Sequence, residues 1–433
     1  MTTSRPNPAS ASEAEARLTL TGLLGDFRLL LILFVSFRVM LLLVYQPLLI
    51  DGVERGLGAQ GDRLYHYALA ELTAEGQWPF RDWWSEFPPV WFFTTSIVYQ
   101  LQGANANYTG WSMMLGLIVL AFEVGNLVLM RKIGAHLHGA NTGMALAWVY
   151  ALTFAPVVFI WWNFETIVAF FLLLGLWWLL RGKDNRSAVA AALGALTKFT
   201  PALLLGVVWR FRTPRAALRY SALTLGVFAL AYLPLFAQNA EMTMPSLTAQ
   251  FGKSSYQTVW ALLDGNYTTG NFGSVESHFD PAQASAATGN PAVVPSWLRL
   301  GAAAAIGLFV FIRTRRFDDK GLVAFVGITL LIFFLQAQGW SPQWVVQIIP
   351  LVLLAFPTRN GVLITIILSL ATFVEYPFLF IRTGDTGGHI TGALVAPFTV
   401  LVLARTAILV GLCVAFYQRL RQEPVLQDYH SQS

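Results

Sequence analysis

Residues able to do acid–base chemistry concentrate in one stretch of this chain, Gly61 to Pro89, which reads GDRLYHYALAELTAEGQWPFRDWWSEFPP. It sets the carboxylates Asp62, Glu71, Glu75, Asp82 and Glu86 against Arg63 and Arg81. Asp62 precedes a helical pattern in which Leu64, Tyr65, Ala68, Leu69 and Leu72 share one face, closed by Gly76. Such an amphipathic helix lies on a bilayer surface. Two roles suit its first carboxylate. As an N-cap it accepts a hydrogen bond from the first amides of the helix. As a general base it takes a proton from a reacting hydroxyl. The roles are compatible, because a capping carboxylate keeps one oxygen open. Tyr65 and His66 lie on the same short helix, and His66 is placed either to contact a substrate or to sit at the interface.

Further along, Pro79 to Pro89 mixes aromatics with Arg81, Asp82 and Glu86. An interfacial anchor explains the tryptophans but has no need of those charges. Lys198 is the second chemical candidate. It sits in Leu196-Thr197-Lys198-Phe199-Thr200-Pro201, a turn between two half-length apolar segments, since Pro201 lacks an amide donor and suits a helix start. A lysine at membrane depth is a functional candidate, although a lysine stem also snorkels to the interface. Glu165 either lines a cavity or ends a helix. Arg38 with Glu123, and Glu375 with Arg405, are candidate buried pairs. His278 and His389 fall in loops. No HxxxH, CxxC or DxD spacing marks a metal site and no P-loop is present, so neither a metal, a cofactor nor nucleotide hydrolysis is expected.

These residues are carried by an all-α, polytopic membrane chain. Its 433 residues are 56% hydrophobic and only 12% charged, with mean hydropathy +0.57. Soluble domains carry about 25% charged residues. Continuous apolar runs approach the roughly 20 residues of a spanning helix, which excludes the alternating strands of a barrel. The net charge of +5 resides in short loops and is no nucleic-acid signal. The single cysteine, Cys413, lies inside the last apolar run. The expected divisions are a disordered tail (1–24), a membrane module (25–236) with an external cap (51–107), an external loop (237–296), further membrane helices (297–418) and a second tail (419–433). A break at Pro156 and Asn163-Phe164-Glu165 splits 141–181 into two helices. Most of the 28 basic residues then fall on loops of one side, placing both termini in the cytoplasm and the cap outside. That bias requires Val90–Gln102 not to cross and Ser187–Trp209 to enter and return, giving about twelve membrane helices.

An Asp after the first span and before a Tyr-bearing helix, then G-x-x-P-F-R-D and an acidic-aromatic-Pro-Pro step, resembles the GT-C superfamily of membrane glycosyltransferases. The likeness is greatest to the polyprenol-phosphate-mannose-dependent mannosyltransferases of phosphatidylinositol mannosides and GPI anchors. The Lys198–Pro201 turn and Ser341-Pro342-Gln343-Trp344 are similar to two further family motifs, with Trp344 standing where a Tyr is usual. The likeness covers about 27–230 and 336–357 and leaves out the 237–296 loop. It implies a GT-C-like fold, a polyprenyl-phosphate sugar donor, a glycolipid or glycan acceptor at the extracytoplasmic face, and inverting displacement with Asp62 as base. Lys198 is then the cation at the leaving phosphate, and Arg81, Asp82, Glu86, His66, Tyr65, Glu165 and Gln343 are substrate contacts. The alternative is a transporter or lipid-linked-sugar flippase, for which twelve helices serve equally well.

Overall fold

The computed structural model describes residues 19–55, 62–153, 164–270, 273–286 and 289–422. The expected break at Pro156 and Asn163, and the outer parts of both tails, lie outside these residues. Helix dominates. Among the described residues the only sheet is a two-stranded antiparallel hairpin, β1 (Leu48–Ile50) and β2 (Val53–Arg55), directly after the first span, α1 (Phe27–Val44).

The cap follows. Helix α2 (Arg63–Glu71) begins one residue after Asp62, and a tight turn carries it to Gly76. Helix α3 (Pro89–Leu101) starts at the second of two prolines, whose fixed φ suits a first helical position. Its 13 residues extend about 20 Å, too short to cross a hydrocarbon core of about 30 Å, and it lies against α2 and α4 (Tyr108–His138). Arg63 locks these pieces together. It is fully buried, donates to Glu54 of β2 at 2.6 Å and to the Tyr108 hydroxyl at 2.7 Å, and so ties hairpin, cap helix and span.

Helices α5 (Ala140–Leu152) and α6 (Glu165–Leu180) lead to the short hairpin that the sequence predicts. Its arms are α7 (Asp184–Ala195) and α8 (Leu204–Phe211), joined through a turn holding Lys198 and a 3-10 segment from Thr200. Twelve residues of α7 rise about 18 Å, a half-crossing. The hairpin closes because residue 194 is glycine. A Cβ there would stand 2.6 Å from the Pro201 ring and 2.8 Å from Phe171 Cβ.

Beyond it come α9 (Pro214–Gln238), α10 (Pro245–Gly252) in the external loop, α11 (Ser296–Arg313), α12 (Asp319–Gln336), α13 (Val345–Ala355), α14 (Arg359–Thr383) and α15 (Gly392–Arg421). Every residue of α13 is buried, as a helix apolar all round requires. It packs against α4, α6, α12 and α14 at the centre of the bundle. Among the described residues seven helices are long and apolar enough to span: α1, α4, α9, α11, α12, α14 and α15. All seven coincide with expected spans, while α6, the Thr200–Phe211 segment and Pro342–Ala355 are apolar but shorter.

The 237–296 loop is docked on the cap. The Trp84 amide donates to the His278 carbonyl at 2.9 Å, and the Trp84 indole donates to the carbonyls of Ser277 and Asp280 at 3.0 and 2.9 Å. Asn239 reaches the Arg81 carbonyl at 2.8 Å. Gly194→Val is expected to force the hairpin apart, destabilising the protein by about 1–3 kcal/mol as overpacking does. Thermal unfolding in detergent checks this, with Gly206→Val, where no atom stands within 4 Å of the added Cβ, as the control.

Candidate active site

A cavity of about 360 Å³ opens between the cap, the hairpin turn, the 237–296 loop and the start of α13. Asp62, Glu86 and Lys198 line it, together with Lys253 and Tyr256 from the loop, Arg299 from α11, and Gln343 with Trp344 before α13. Phe251, Leu300 and Phe333 give it an apolar side. A smaller cavity of about 30 Å³ adjoins it, sharing Asp62, Lys253, Tyr256, Ser341 and Gln343 and reaching Gly270 and Tyr376. Asp62 thus belongs to the wall of both.

Asp62 occupies the N-cap position of α2 with φ −74° and ψ −2°, yet its carboxylate makes no cap hydrogen bond. It is half-buried and faces the cavity. Burial, and secondarily the charge of Glu86, raise its pKa to about 7, against the partial opposition of Lys253 and Lys198. A carboxylate so tuned is suited to accept a proton near neutral pH.

Glu86 is almost wholly buried. Lys253 lies 3.4 Å from one of its oxygens and the Tyr65 hydroxyl 3.4 Å from the other. That hydroxyl is also 2.6 Å from His278 Nε2, whose other ring nitrogen meets the Trp84 carbonyl at 2.7 Å. Tyr65 therefore stands behind Glu86, and the loop reaches into the cap through His278.

Lys198 pairs with Glu165 at the start of α6. The other Glu165 oxygen accepts from Gln347 of α13, and Gln347 Oε1 accepts from the Thr200 hydroxyl at 2.8 Å. The ammonium also faces aromatic rings, 4.8 Å from the Trp344 centroid and 5.6 Å from Phe164. Arg299 is a third cation on the wall. Only its Nη2 finds partners, Ser296 at 2.9 Å and Gln338 at 3.2 Å, while Nε and Nη1 are buried without one among the described residues.

Of the expected contacts, Asp62, Lys198, Glu86 and Gln343 come together on the cavity wall, with Glu165 directly beneath. Arg81 and Asp82 do not. They pair with each other at 2.7 Å in a turn, Asp82 accepting from the Trp78 amide and Arg81 donating to the Gly76 carbonyl. His66 is fully buried behind the wall, edge-on to Trp91 and Phe92, and burial pushes its pKa down to about 3, so it packs as a neutral ring. Lys253, Tyr256, Arg299 and Gln347 escape the sequence reading. The signals that exist are Arg299 at the edge of an apolar run and Lys253 as a rare basic residue of its loop. Tyr256 has none, since its ring is fixed by close approach to Gly339, where a Cβ would meet it at 2.2 Å. Among the described residues no three His, Cys, Asp or Glu side chains group to hold a metal ion.

A poised carboxylate facing several cations across a cavity with an apolar side suits transfer of a group away from an anionic, lipid-borne leaving group. The chain belongs to glycosyltransferase family 87, whose model matches residues 87–337. That membership bears out the resemblance to the GT-C superfamily of membrane glycosyltransferases and favours an enzyme over the transporter or flippase alternative. The match includes the 237–296 loop, which the sequence motifs leave outside the resemblance. No curated protein matches the sequence. Among solved structures, the chain is similar to ArnT from Cupriavidus metallidurans bound to undecaprenyl phosphate, at 15% identity and TM-score 0.44, over 93% of this chain and 77% of that one. It is also similar to the Archaeoglobus fulgidus oligosaccharyltransferase in its apo form, at 12% identity and TM-score 0.42, over 90% of this chain and 55% of that one. This chain thus spans little more than half the length of the oligosaccharyltransferase.

The raised pKa of Asp62 has a sign that stability measurements read. The folded protein holds the proton that the unfolded chain releases near pH 3.8, so stability falls as pH rises from about 4 to about 7 and is level above that. Asp62→Asn removes this dependence. The variant is expected to gain melting temperature over the parent as pH rises through that window, a difference read by thermal unfolding in detergent.

Proposed function

We propose that this protein transfers a sugar, mannose in the reading the resemblance favours, from a polyprenyl-phosphate donor to a hydroxyl of a glycolipid or glycan acceptor at the extracytoplasmic face. Asp62 takes the proton of the acceptor hydroxyl. The hydroxyl oxygen attacks the anomeric carbon, the bond from that carbon to the phosphate oxygen breaks, and the lipid phosphate leaves with the electron pair. One displacement inverts the anomeric centre and needs one base. Negative charge grows on the leaving phosphate, and cations fixed beside it stabilise that charge most where water is excluded. Lys198, Lys253 and Arg299 are the groups for this. Lys198 is the best placed, because its ammonium has three N–H donors and Glu165 takes one.

The observation that carries this reading is that Asp62 and Lys198 line one cavity that also has an apolar side. Leu300 and Phe333 suit an isoprenoid chain lying against α11 and α12. The smaller cavity sharing Asp62 has room for a single hydroxyl-sized group beside the base.

With radiolabelled polyprenyl-phosphate-mannose and total membrane lipid as acceptor, purified protein in nanodiscs is expected to form a labelled product. Asp62→Asn is expected to lower the rate by at least about a hundredfold, the contribution typical of a general base, while still binding the donor lipid. Label transfer by Asp62→Asn at the parental rate sinks this assignment. Lys198→Ala is expected to weaken binding of polyprenyl phosphate, and unchanged binding removes Lys198 from the phosphate site. The rate should rise with pH around a midpoint of about 7, as a base that must lose its proton requires. Glu86→Gln is expected to move that midpoint down, because it removes a charge that disfavours ionised Asp62.

A further inference from the structure

Along α6 and α7, with its mouth at the end away from Lys198, lies a groove of about 410 Å³ that the proposed reaction does not use. Leu174 and Trp178 of α6, Arg186, Val189 and Leu193 of α7, and Leu223 of α9 line it. Residues 186, 189 and 193 recur at helical spacing, so the groove follows one face of α7 for about 10 Å, within the depth of one leaflet. Its apolar length is open, with Val189 and Leu193 both more than a third exposed. Its mouth is cationic. Lys183 and Arg186 stand over the Trp178 ring at 5.2 and 5.1 Å from its centroid. Asp184, the acid of that turn, is taken by Arg212 at 3.2 Å, and among the described residues neither Lys183 nor Arg186 has a carboxylate partner.

We infer that this groove binds one anionic glycerophospholipid, its phosphate held by Lys183 and Arg186 and one acyl chain lying along Val189, Leu193 and Leu223. Two cations without a carboxylate partner among the described residues, held at an aromatic ring above an apolar channel, match a lipid with a charged head and a hydrocarbon tail. Basic pockets between membrane helices bind such headgroups. The lipid then buttresses the outer face of α7. That face is coupled to the hairpin turn, because the Leu193 carbonyl accepts from the Thr197 hydroxyl at 3.3 Å and Phe171 packs behind Gly194.

Native mass spectrometry of the delipidated full-length protein, titrated separately with phosphatidylglycerol, phosphatidylcholine and inorganic phosphate, tests this. The parent is expected to retain one phosphatidylglycerol in clear preference to phosphatidylcholine and to hold no inorganic phosphate. Lys183→Gln/Arg186→Gln is expected to weaken phosphatidylglycerol binding by roughly thirtyfold and to erase the preference. Lys183→Arg/Arg186→Lys should keep it, which separates loss of charge from loss of fold. Arg315→Gln/Arg359→Gln removes the same charge elsewhere and should change nothing. Equal retention of both lipids by the parent, or an equal loss in the Arg315/Arg359 variant, overturns the inference. So does inorganic phosphate competing away the phosphatidylglycerol.

Discussion

The ion pair of Lys198 with Glu165 is the constraint on which the rest of this protein depends. Removing two charges from water costs several kcal/mol for each ion, repaid only by close geometry and further hydrogen bonds. Here Gln347 takes the second carboxylate oxygen and Thr200 takes Gln347. That chain binds α6, the hairpin turn and the central helix α13 to one another. Gly194 lets the hairpin close, Pro201 starts its return, and Pro342 starts the helix that brings Gln347 inward. Breaking such a pair leaves a lone buried charge, typically at a cost of about 3–5 kcal/mol. The same pair delivers an ammonium to the wall of a largely apolar cavity, so stability and the proposed chemistry rest on one set of atoms.

The second organising contact joins two segments far apart in sequence. The acidic cap supplies Asp62 and Glu86, the 237–296 loop supplies Lys253, Tyr256 and His278, and neither encloses a site alone. Trp84 is the clasp, giving both its amide and its indole to loop carbonyls while its ring lies 4.3 Å from that of His278. Once clasped, the loop brings Lys253 to Glu86 and leaves Asp62 with mixed neighbours. Burial and Glu86 outweigh the two lysines there, which is why that carboxyl is raised.

Much of this was legible in the sequence, and the reasons differ by residue. The membrane class follows from long apolar runs. The half-length hairpin follows from Lys198 and Pro201 interrupting one such run, and the placement of α2 and α3 from Asp62, Gly76 and the Pro88-Pro89 step. These signals are local. The buried pairs Arg38 with Glu123 and Arg405 with Glu375 were foreseeable because a charge inside a span seeks an opposite one. Contacts across long sequence distances were not. Nothing near Lys253 or His278 in sequence announces that they meet Glu86 and Tyr65. Arg81 and Asp82 misled for the converse reason. Adjacent residues of opposite charge satisfy each other locally, and these two stabilise their own turn. His66 reads in sequence as a substrate contact or an interfacial residue, but its aromatic neighbours make it a packing ring.

The clasp between cap and loop also bears on timing. The cavity draws its first wall residue from position 62 and its last from position 344, with the loop's contribution between them. While the chain is being made, the cap reaches the membrane long before the loop that closes over it and the helix start that completes it. A growing chain can therefore hold Asp62 in place without enclosing anything beneath it. The enclosed site therefore needs the chain through Trp344, and a molecule made only as far as the cap has no closed cavity.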